Sequence, residues 1–284
     1  MPTPSRKFDP RTLAGQMLAL APASLRSWIQ VDWDGEVYES TTPASNQTYT
    51  MPRPGVALVS FCGAVGFGPY SWGLSYEAIE AAIEQPINDL SVRHLVIRAE
   101  GPGGMVPGLL ASTARLRKLT ARRRIPITVH TSAQCCSAWA FLASTLACNG
   151  GQWVADPTAH VGNMGLYQVL EFYGAALEKA GVQIVYVSAG AHKVDLFGEL
   201  PPSTEALARA QTQVDEIYDL LCADAGMGLA LRRGITPQEG YALIKAQQSR
   251  TYIGNQEAID AGVIDRVALL DTVLDEAAAS GGIR

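Results

Sequence analysis

The chain has 284 residues, 48% of them hydrophobic, enough to bury the core of one large α/β domain or of two small ones. A formal net charge of −5 and a pI near 5.4, with no basic run beyond Arg122, Arg123 and Arg124, argue against a nucleic-acid surface; that triplet reads as a solvated helix end. The five cysteines, Cys62, Cys135, Cys136, Cys148 and Cys222, contain no CxxC pair, so neither a disulfide framework nor a zinc site is expected and the implied compartment is reducing.

Residues 1–50 read as an adapter: a Pro-rich start, an amphipathic helix candidate carrying Leu18, Leu25, Trp28 and Ile29, then a polar loop ending in Ser45, Asn46 and Gln47. Pro22 kinks or splits that helix. The apolar stretch from Leu13 to Ile29 is interrupted by Gln16, Pro22 and Arg26, so it is read as neither an export signal nor a membrane span. A second unit is expected over residues 51–270, followed by a tail at 271–284. It opens with the buried strand Val56–Phe61, stopped by Gly63, and a helix from Tyr76 to Gln85. His94–Arg98 is a second strand, the turn Gly101-Pro-Gly-Gly104 follows, and Leu109–Leu119 has helical spacing. Ile125–His130 is a third strand, leading into an apolar helix from Ser137 to Leu146. Strands alternating with helices at this spacing predict βαβ units in a parallel sheet. A later strand is expected over Gly181–Val187, and a long amphipathic helix over Glu205–Ala223, with apolar Leu207, Val214, Ile217 and Leu221.

Three places carry possible chemistry. The turn at Gly101–Gly104 follows a buried strand, where missing side chains let backbone N–H groups approach a ligand or an oxyanion; it reads equally as a plain strand-to-helix turn. Ser137 opens an apolar helix, which suits a nucleophile beside N-terminal amides and suits an ordinary N-cap as well. His192-Lys193-Val194-Asp195 follows a small-residue turn, where a lysine can turn inward, lose solvation and act as a general base, or stay on the surface as most lysines do.

Taken together, five segments occur in a recognisable order: Gly101-Pro-Gly-Gly-Met-Val-Pro-Gly108, Cys136-Ser-Ala-Trp-Ala-Phe-Leu-Ala-Ser144, Tyr173-Gly-Ala-Ala-Leu-Glu-Lys-Ala-Gly-Val182, His192-Lys-Val-Asp195 and Gly254-Asn-Gln-Glu-Ala-Ile-Asp-Ala-Gly-Val-Ile-Asp265. They resemble the phage head maturation proteases of the signal peptide peptidase A family, across about residues 52 to 270. Even Met17-Leu-Ala-Leu-Ala-Pro-Ala-Ser-Leu25 is similar to the leader of such proteins. The resemblance implies a Clp-protease/crotonase-like α/β fold, with Ser137 as nucleophile, Lys193 as general base, and the Gly103, Gly104 and Ala138 amides as the oxyanion hole. It further implies a homo-oligomer without metal or organic cofactor. Its substrates would be scaffold and capsid proteins, met in the host cytoplasm inside a procapsid. The missing membrane anchor fits the phage branch, and self-processing is expected. Two positions depart from the pattern: Trp139 stands where glycine is usual, and Gly162-Asn-Met-Gly165 replaces Gly-Ser-Ile-Gly, so Asn163 takes the place of a serine that hydrogen-bonds the lysine.

Other readings stay open on sequence alone. His160 is a rival base for a Ser-His site, and Cys135 or Cys136 is a rival nucleophile. Crotonase-type enzymes use the same fold to hold an acyl-CoA enolate, and a catalytically inactive scaffold or binding protein would also keep the fold.

Overall fold

The structure is a computed structural model that describes residues 48–68 and 73–280, together with the backbone of 17–20. In chain order it begins with strands β1 (Met17–Leu20), β2 (Thr50–Arg53), β3 (Val56–Cys62), β4 (Val65–Gly66) and β5 (Leu74–Ser75), then helix α1 (Tyr76–Asn88). β6 (His94–Glu100), β7 (Gly103–Met105), α2 (Leu109–Thr120), β8 (Ile127–Thr131), β9 (Gln134–Cys136) and α3 (Ala138–Leu146) follow. After these come β10 (Trp153–Ala155), β11 (His160–Gly162), β12 (Tyr167–Gln168), α4 (Gly174–Lys179) and α5 (Thr204–Arg233). The chain closes with α6 (Pro237–Ala246), β13 (Thr251–Ile253), α7 (Gln256–Asp260), β14 (Arg266–Val267) and α8 (Leu270–Ser280).

The central sheet has the order β14-β10-β8-β6-β3-β2; every pairing is parallel except that of β2, the antiparallel edge. Its inner strands are buried because both faces are covered: β8 is buried throughout and β6 at all but Arg98. On one face, Ile79 and Ile83 of α1, Leu109 and Leu116 of α2 and nearly all of α3 join Val59, Leu95, Ile97 and Val129 in one core. The other face is closed by α8, whose Val273, Leu274 and Ala277 pack on Val56, Val96 and Val154. The segment expected as a tail from residue 271 therefore holds a helix docked on the sheet. Burial of this kind, at about 25 cal/mol per Å² of apolar surface, is the main term holding the layers together.

The expected βαβ alternation is present, and the protein is an α/β protein with a parallel-rich central sheet. Elements differ from expectation in three places. Met17–Leu20, read as part of a helix, is a strand, β1, paired antiparallel to β7 on one side and β12 on the other; the rest of that helix candidate and the polar loop at 45–47 lie outside the described residues. Residues 181–187, read as a later strand, form none, and Val185 and Val187 are 76% and 98% exposed. Their alternation of apolar residues finds no sheet edge to join.

Helix α5 begins as expected, with Ser203 Oγ accepting the Ala206 N–H, but runs past Ala223 to Arg233 and stops at Gly234 in the left-handed region. Two glycines sit in the added turns because the helix is crossed closely there. A β-carbon on Gly226 would lie 2.5 Å from the Tyr241 nitrogen of α6, and one on Gly228 would lie 2.3 Å from the Ser144 carbonyl oxygen of α3. Among the described residues no helix is long and apolar enough to cross a membrane.

Candidate active site

The site begins where β9 leaves a small side sheet, β13-β11-β9, and turns into α3. Cys136 pairs with Gly162 of β11, and the next residue, Ser137, takes φ 57° and ψ −120°. That backbone conformation is strained for any residue with a β-carbon and costs on the order of 1–3 kcal/mol. It is held by the Ser137 N–H donating to the Gly162 carbonyl at 2.8 Å and by the Phe141 N–H donating to the Ser137 carbonyl at 3.1 Å. The buried hydroxyl donates to the Gly165 carbonyl at 3.3 Å and makes no capping bond to α3, so the ordinary N-cap account of this serine does not apply.

The glycine turn is stitched to the serine strand. Gly101 donates its N–H to the Gln134 carbonyl at 2.6 Å, and its own carbonyl accepts the Cys136 N–H at 3.1 Å. Gly103 has φ 115°, and a β-carbon on Gly104 would stand 1.8 Å from the Val65 carbonyl oxygen, so only glycine fits there. The Tyr76 hydroxyl donates to the Met105 carbonyl at 2.5 Å and anchors the far end of β7. Ala138 is the first residue of α3, and the first N–H groups of a helix have no intrahelical acceptor.

Trp139 neither displaces the helix start nor lines an opening. Its ring is fully buried 5.8 Å from that of Phe61, and its indole N–H donates to the Gly63 carbonyl at 2.7 Å. A β-carbon on Gly101 would lie 2.4 Å from Trp139 Nε1, so the large side chain at 139 is matched by the missing one at 101.

Asn163, with φ 51°, donates its backbone N–H to the Arg250 carbonyl at 2.8 Å and its Nδ2 to the Ser249 carbonyl at 3.0 Å and Thr251 Oγ1 at 3.2 Å. Ser249 Oγ in turn donates to the Met164 carbonyl at 3.0 Å. Ser137, Asn163, Gln248 and Ser249 are four of the five non-glycine residues with positive φ among the described residues, so backbone strain gathers around this loop. Gln248 and Ser249 carry no motif that a sequence reading could have found.

Glu100 is a further residue missed at that level. Nearly buried at the end of β6, its carboxylate accepts the N–H groups of Ser132 at 2.6 Å, Ala133 at 3.0 Å and Gln134 at 3.0 Å, which fixes the loop that delivers β9 and Ser137. A buried acid ending a strand next to a glycine turn was the available signal.

The structure thus brings Ser137, Ala138, Gly103, Gly104 and Asn163 into one neighbourhood. Lys193 is not with them: it is exposed in a turn, its N–H donating to the Gly190 carbonyl at 3.2 Å. Among the described residues no hydrogen bond or ion pair joins it to Ser137 or Asn163. The turn itself is ordered by His192 Nδ1, 3.0 Å from Asp195 Oδ2, and by an ion pair between Asp195 and Arg209 of α5. His160 is exposed at the start of β11 and makes no bond to Ser137. Burial pushes the Cys136 thiol up to about 11 and the Cys135 thiol well above its ordinary value, which disfavours either thiolate as a nucleophile.

A buried ion pair secures the last motif. Asp265 Oδ2 accepts from Arg232 Nη1 at 2.8 Å and from the Trp153 N–H at 2.8 Å, tying α5 and β10 to the segment before β14.

The sequence profile of Peptidase family S49 matches residues 119–284, a span that includes Ser137, Asn163 and Lys193. The chain belongs to Peptidase family S49. It is also 28% identical over 260 residues to Capsid assembly protease C of Escherichia phage lambda, covering 90% of this chain and 54% of that protein. Head-tail preconnector protein GP5 of Enterobacteria phage P21 is 26% identical over 220 residues, covering 75% of this chain and 40% of the relative. The chain thus spans about half the length of the curated relatives it matches.

Proposed function

We propose that the protein is a serine endopeptidase acting in phage capsid assembly, with Ser137 as nucleophile and Lys193 as general base. The observation that carries this reading is Ser137 itself: a buried serine, uncapped, in a strained conformation at a helix N-terminus, beside a glycine turn in which Gly104 admits no side chain. Structures keep such strain where the surrounding bonds over-determine it, and functional sites are where it collects. The family and the name of the lambda relative support the same direction.

In the proposed reaction the lysine amine takes the Ser137 proton as Oγ bonds to the substrate carbonyl carbon. The oxygen of the tetrahedral intermediate receives hydrogen bonds from the N–H groups at Gly103 or Gly104 and Ala138. Collapse breaks the C–N bond, the lysine returns the proton to the leaving amine, and an acyl ester remains on Ser137. Water, deprotonated by the same lysine, then hydrolyses the ester. The scheme uses no metal or organic cofactor.

Lys193 has to reach the serine for this to work, and in the single chain its turn is exposed. We infer that assembly of copies docks the turn. Beside it Val182, Val185 and Val187 are exposed, as are Leu207 and Leu220 on α5. An assembly that covered these residues would remove apolar surface from water and lysine solvation together.

The proposed substrates are scaffold and capsid proteins, and the proposed place is the interior of a procapsid in the host cytoplasm. Incubating the protein with a phage scaffold protein in EDTA tests the reading. Cleavage by the wild type and none by Ser137→Ala is expected; cleavage that survives Ser137→Ala, or that EDTA abolishes, would overturn it. The exposure of Lys193 favours one alternative, an inactive binding protein of the same fold, which predicts no cleavage under any condition while scaffold protein is still bound.

A further inference from the structure

The strand β1 lies in a place its own residues do not explain. In the sheet order β12-β1-β7-β4-β5, β12 is held by β1 and, among the described residues, by no other strand, and one side of β7 is likewise covered by β1. The pairing is antiparallel on both sides: Leu18 opposes Met105, Ala19 opposes Gly104 and Leu20 opposes Gly103, while Met17 opposes Gln168 and Leu18 opposes Tyr167. A segment from the N-terminal region has therefore been laid between two short strands that would otherwise show open edges to each other. Open edges recruit extended peptides through main-chain hydrogen bonds, which give binding with little demand on side chains.

The direction of β1 matters as much as its position. Running from Met17 to Leu20, it moves from Met105 toward Gly103, the start of the glycine turn. Against β12 it moves from Gln168 toward Tyr167, and so toward Gly165, whose carbonyl accepts the Ser137 hydroxyl at 3.3 Å. Both neighbours thus have their serine-proximal ends at the C-terminal end of β1. A peptide about to donate its acyl group lies this way round, with the residues before the scissile bond leading N to C up to the nucleophile.

We propose that the slot between β7 and β12 is the acyl-side peptide site, and that Met17–Leu20 occupies it in cis as a built-in competitor that must withdraw before a protein substrate binds. The inference rests on the peptidase reading for what the slot serves, and on the strand register alone for what fills it. A protease made together with its own assembly substrates gains from such an occupant: cleavage starts only when something draws the segment out. An intramolecular competitor that fills the slot nine-tenths of the time raises the apparent KM about tenfold, because only the empty fraction binds.

Leu18 is opposed on both sides, so its N–H faces one partner strand or the other, and Leu18→Pro removes that donor from the full-length chain without touching residues 48–280. Three measurements test the proposal: amide hydrogen exchange at 103–105 and 167–168, KM and kcat on fluorescently labelled casein, and inhibition by a capped synthetic peptide with the sequence of residues 15–20. The expected results are faster exchange in the variant, slowed again by the peptide; a KM lowered roughly 5–10-fold with kcat unchanged; and competitive inhibition of the variant by the peptide. Unchanged exchange and unchanged KM in Leu18→Pro would overturn the proposal, as would a peptide that neither slows exchange nor competes. If exchange responds as expected but neither protein cleaves casein or scaffold protein, the occupant stands and the peptidase reading fails.

Discussion

The surroundings of Ser137 and those of Lys193 are built in opposite ways. Around the serine the backbone is tied down by its own bonds: its N–H to Gly162, its carbonyl to Phe141, the strand before it to Gly101, and the loop before that strand to the Glu100 carboxylate. Around the lysine, residues 181–200 form turns and irregular chain, with Val187 almost wholly in solvent. One half of the proposed catalytic pair is pre-organised within the chain, and the other depends on something outside it. If Lys193 is the base as proposed, such a division would keep an isolated copy inactive while the nucleophile stands ready, and would make the lysine side a point of control.

The largest effect that can break this comparison is loss of the base. Lys193→Ala is expected to lower kcat/KM by more than about a thousandfold, close to the loss in Ser137→Ala, since residues acting as a unit lose nearly everything when either is removed. His160→Ala should stay within about twofold of the wild type, its ring being exposed and unbonded to the serine. With lysine as base, activity climbs with pH as the amine gives up its proton. A vigorous Lys193→Ala enzyme, or one inactivated by His160→Ala, would end the Ser-Lys assignment. Because the pair is proposed to form on assembly, specific activity should also rise with protein concentration alongside the mass from light scattering. A single-chain mass at every concentration, with full activity, would mean that the turn docks by itself.

What could be read from the sequence follows the same division. The strands β3, β6 and β8 and the helix α3 are long apolar runs between clear stops, and burial on both faces leaves such runs little freedom to be anything else. The glycine turn and Ser137 were legible as candidates for the same reason: they sit at the ends of those runs. Val182–Val187 has just as good an alternation, but alternation says that a segment can be a strand and says nothing about whether a partner edge exists. Met17–Leu20 is too short for any period to show, and its strand character comes wholly from β7 and β12, far along the chain. The extension of α5 through Gly226 and Gly228 was hidden because glycine weakens a helix in isolation; here it is required by close crossings with α6 and α3. Glu100 was invisible because its role depends on three consecutive amides that only the fold turns toward it.

An intermediate effect is expected at Glu100, which tests whether the serine side is as rigid as it looks. Glu100→Gln keeps the size but puts an amide donor where one or two of the three backbone donors now point, so the loop 132–134 must shift. Hydrogen bonds to a charged partner contribute about 1.5–3 kcal/mol each, and losing one or two should lower Tm by several degrees. As a positioning residue it should act on kcat more than on KM, with a fall of roughly 10–100-fold and an unchanged pH profile. Wild-type kcat in a folded Glu100→Gln protein would show that the serine is held without the loop.

The smallest effect concerns Asn163, and it decides which side of the comparison that residue belongs to. As a substitute for the usual serine it was expected to accept a hydrogen bond from the lysine through its amide oxygen; the structure ties its amide nitrogen to Ser249 and Thr251. If holding the 249–251 segment is its work, Asn163→Ser should cost about 1–2 kcal/mol of stability, from two neutral hydrogen bonds and from a left-handed φ that serine tolerates less well than asparagine. Activity should then stay within a few-fold of the wild type and the pH limb should not move. Asn163→Leu, unable to make either bond and bulkier in the same strained position, should lose more of both stability and kcat, again at a fixed pH limb. A contact with the lysine predicts something else: the limb should move in Asn163→Leu, because the base has lost a partner, and return in Asn163→Ser, which restores an acceptor. Rates for the two variants across pH, beside their melting temperatures, separate the accounts. A shifted limb in Asn163→Leu would place the Asn163 amide oxygen with the lysine while its amide nitrogen keeps its bonds to Ser249 and Thr251.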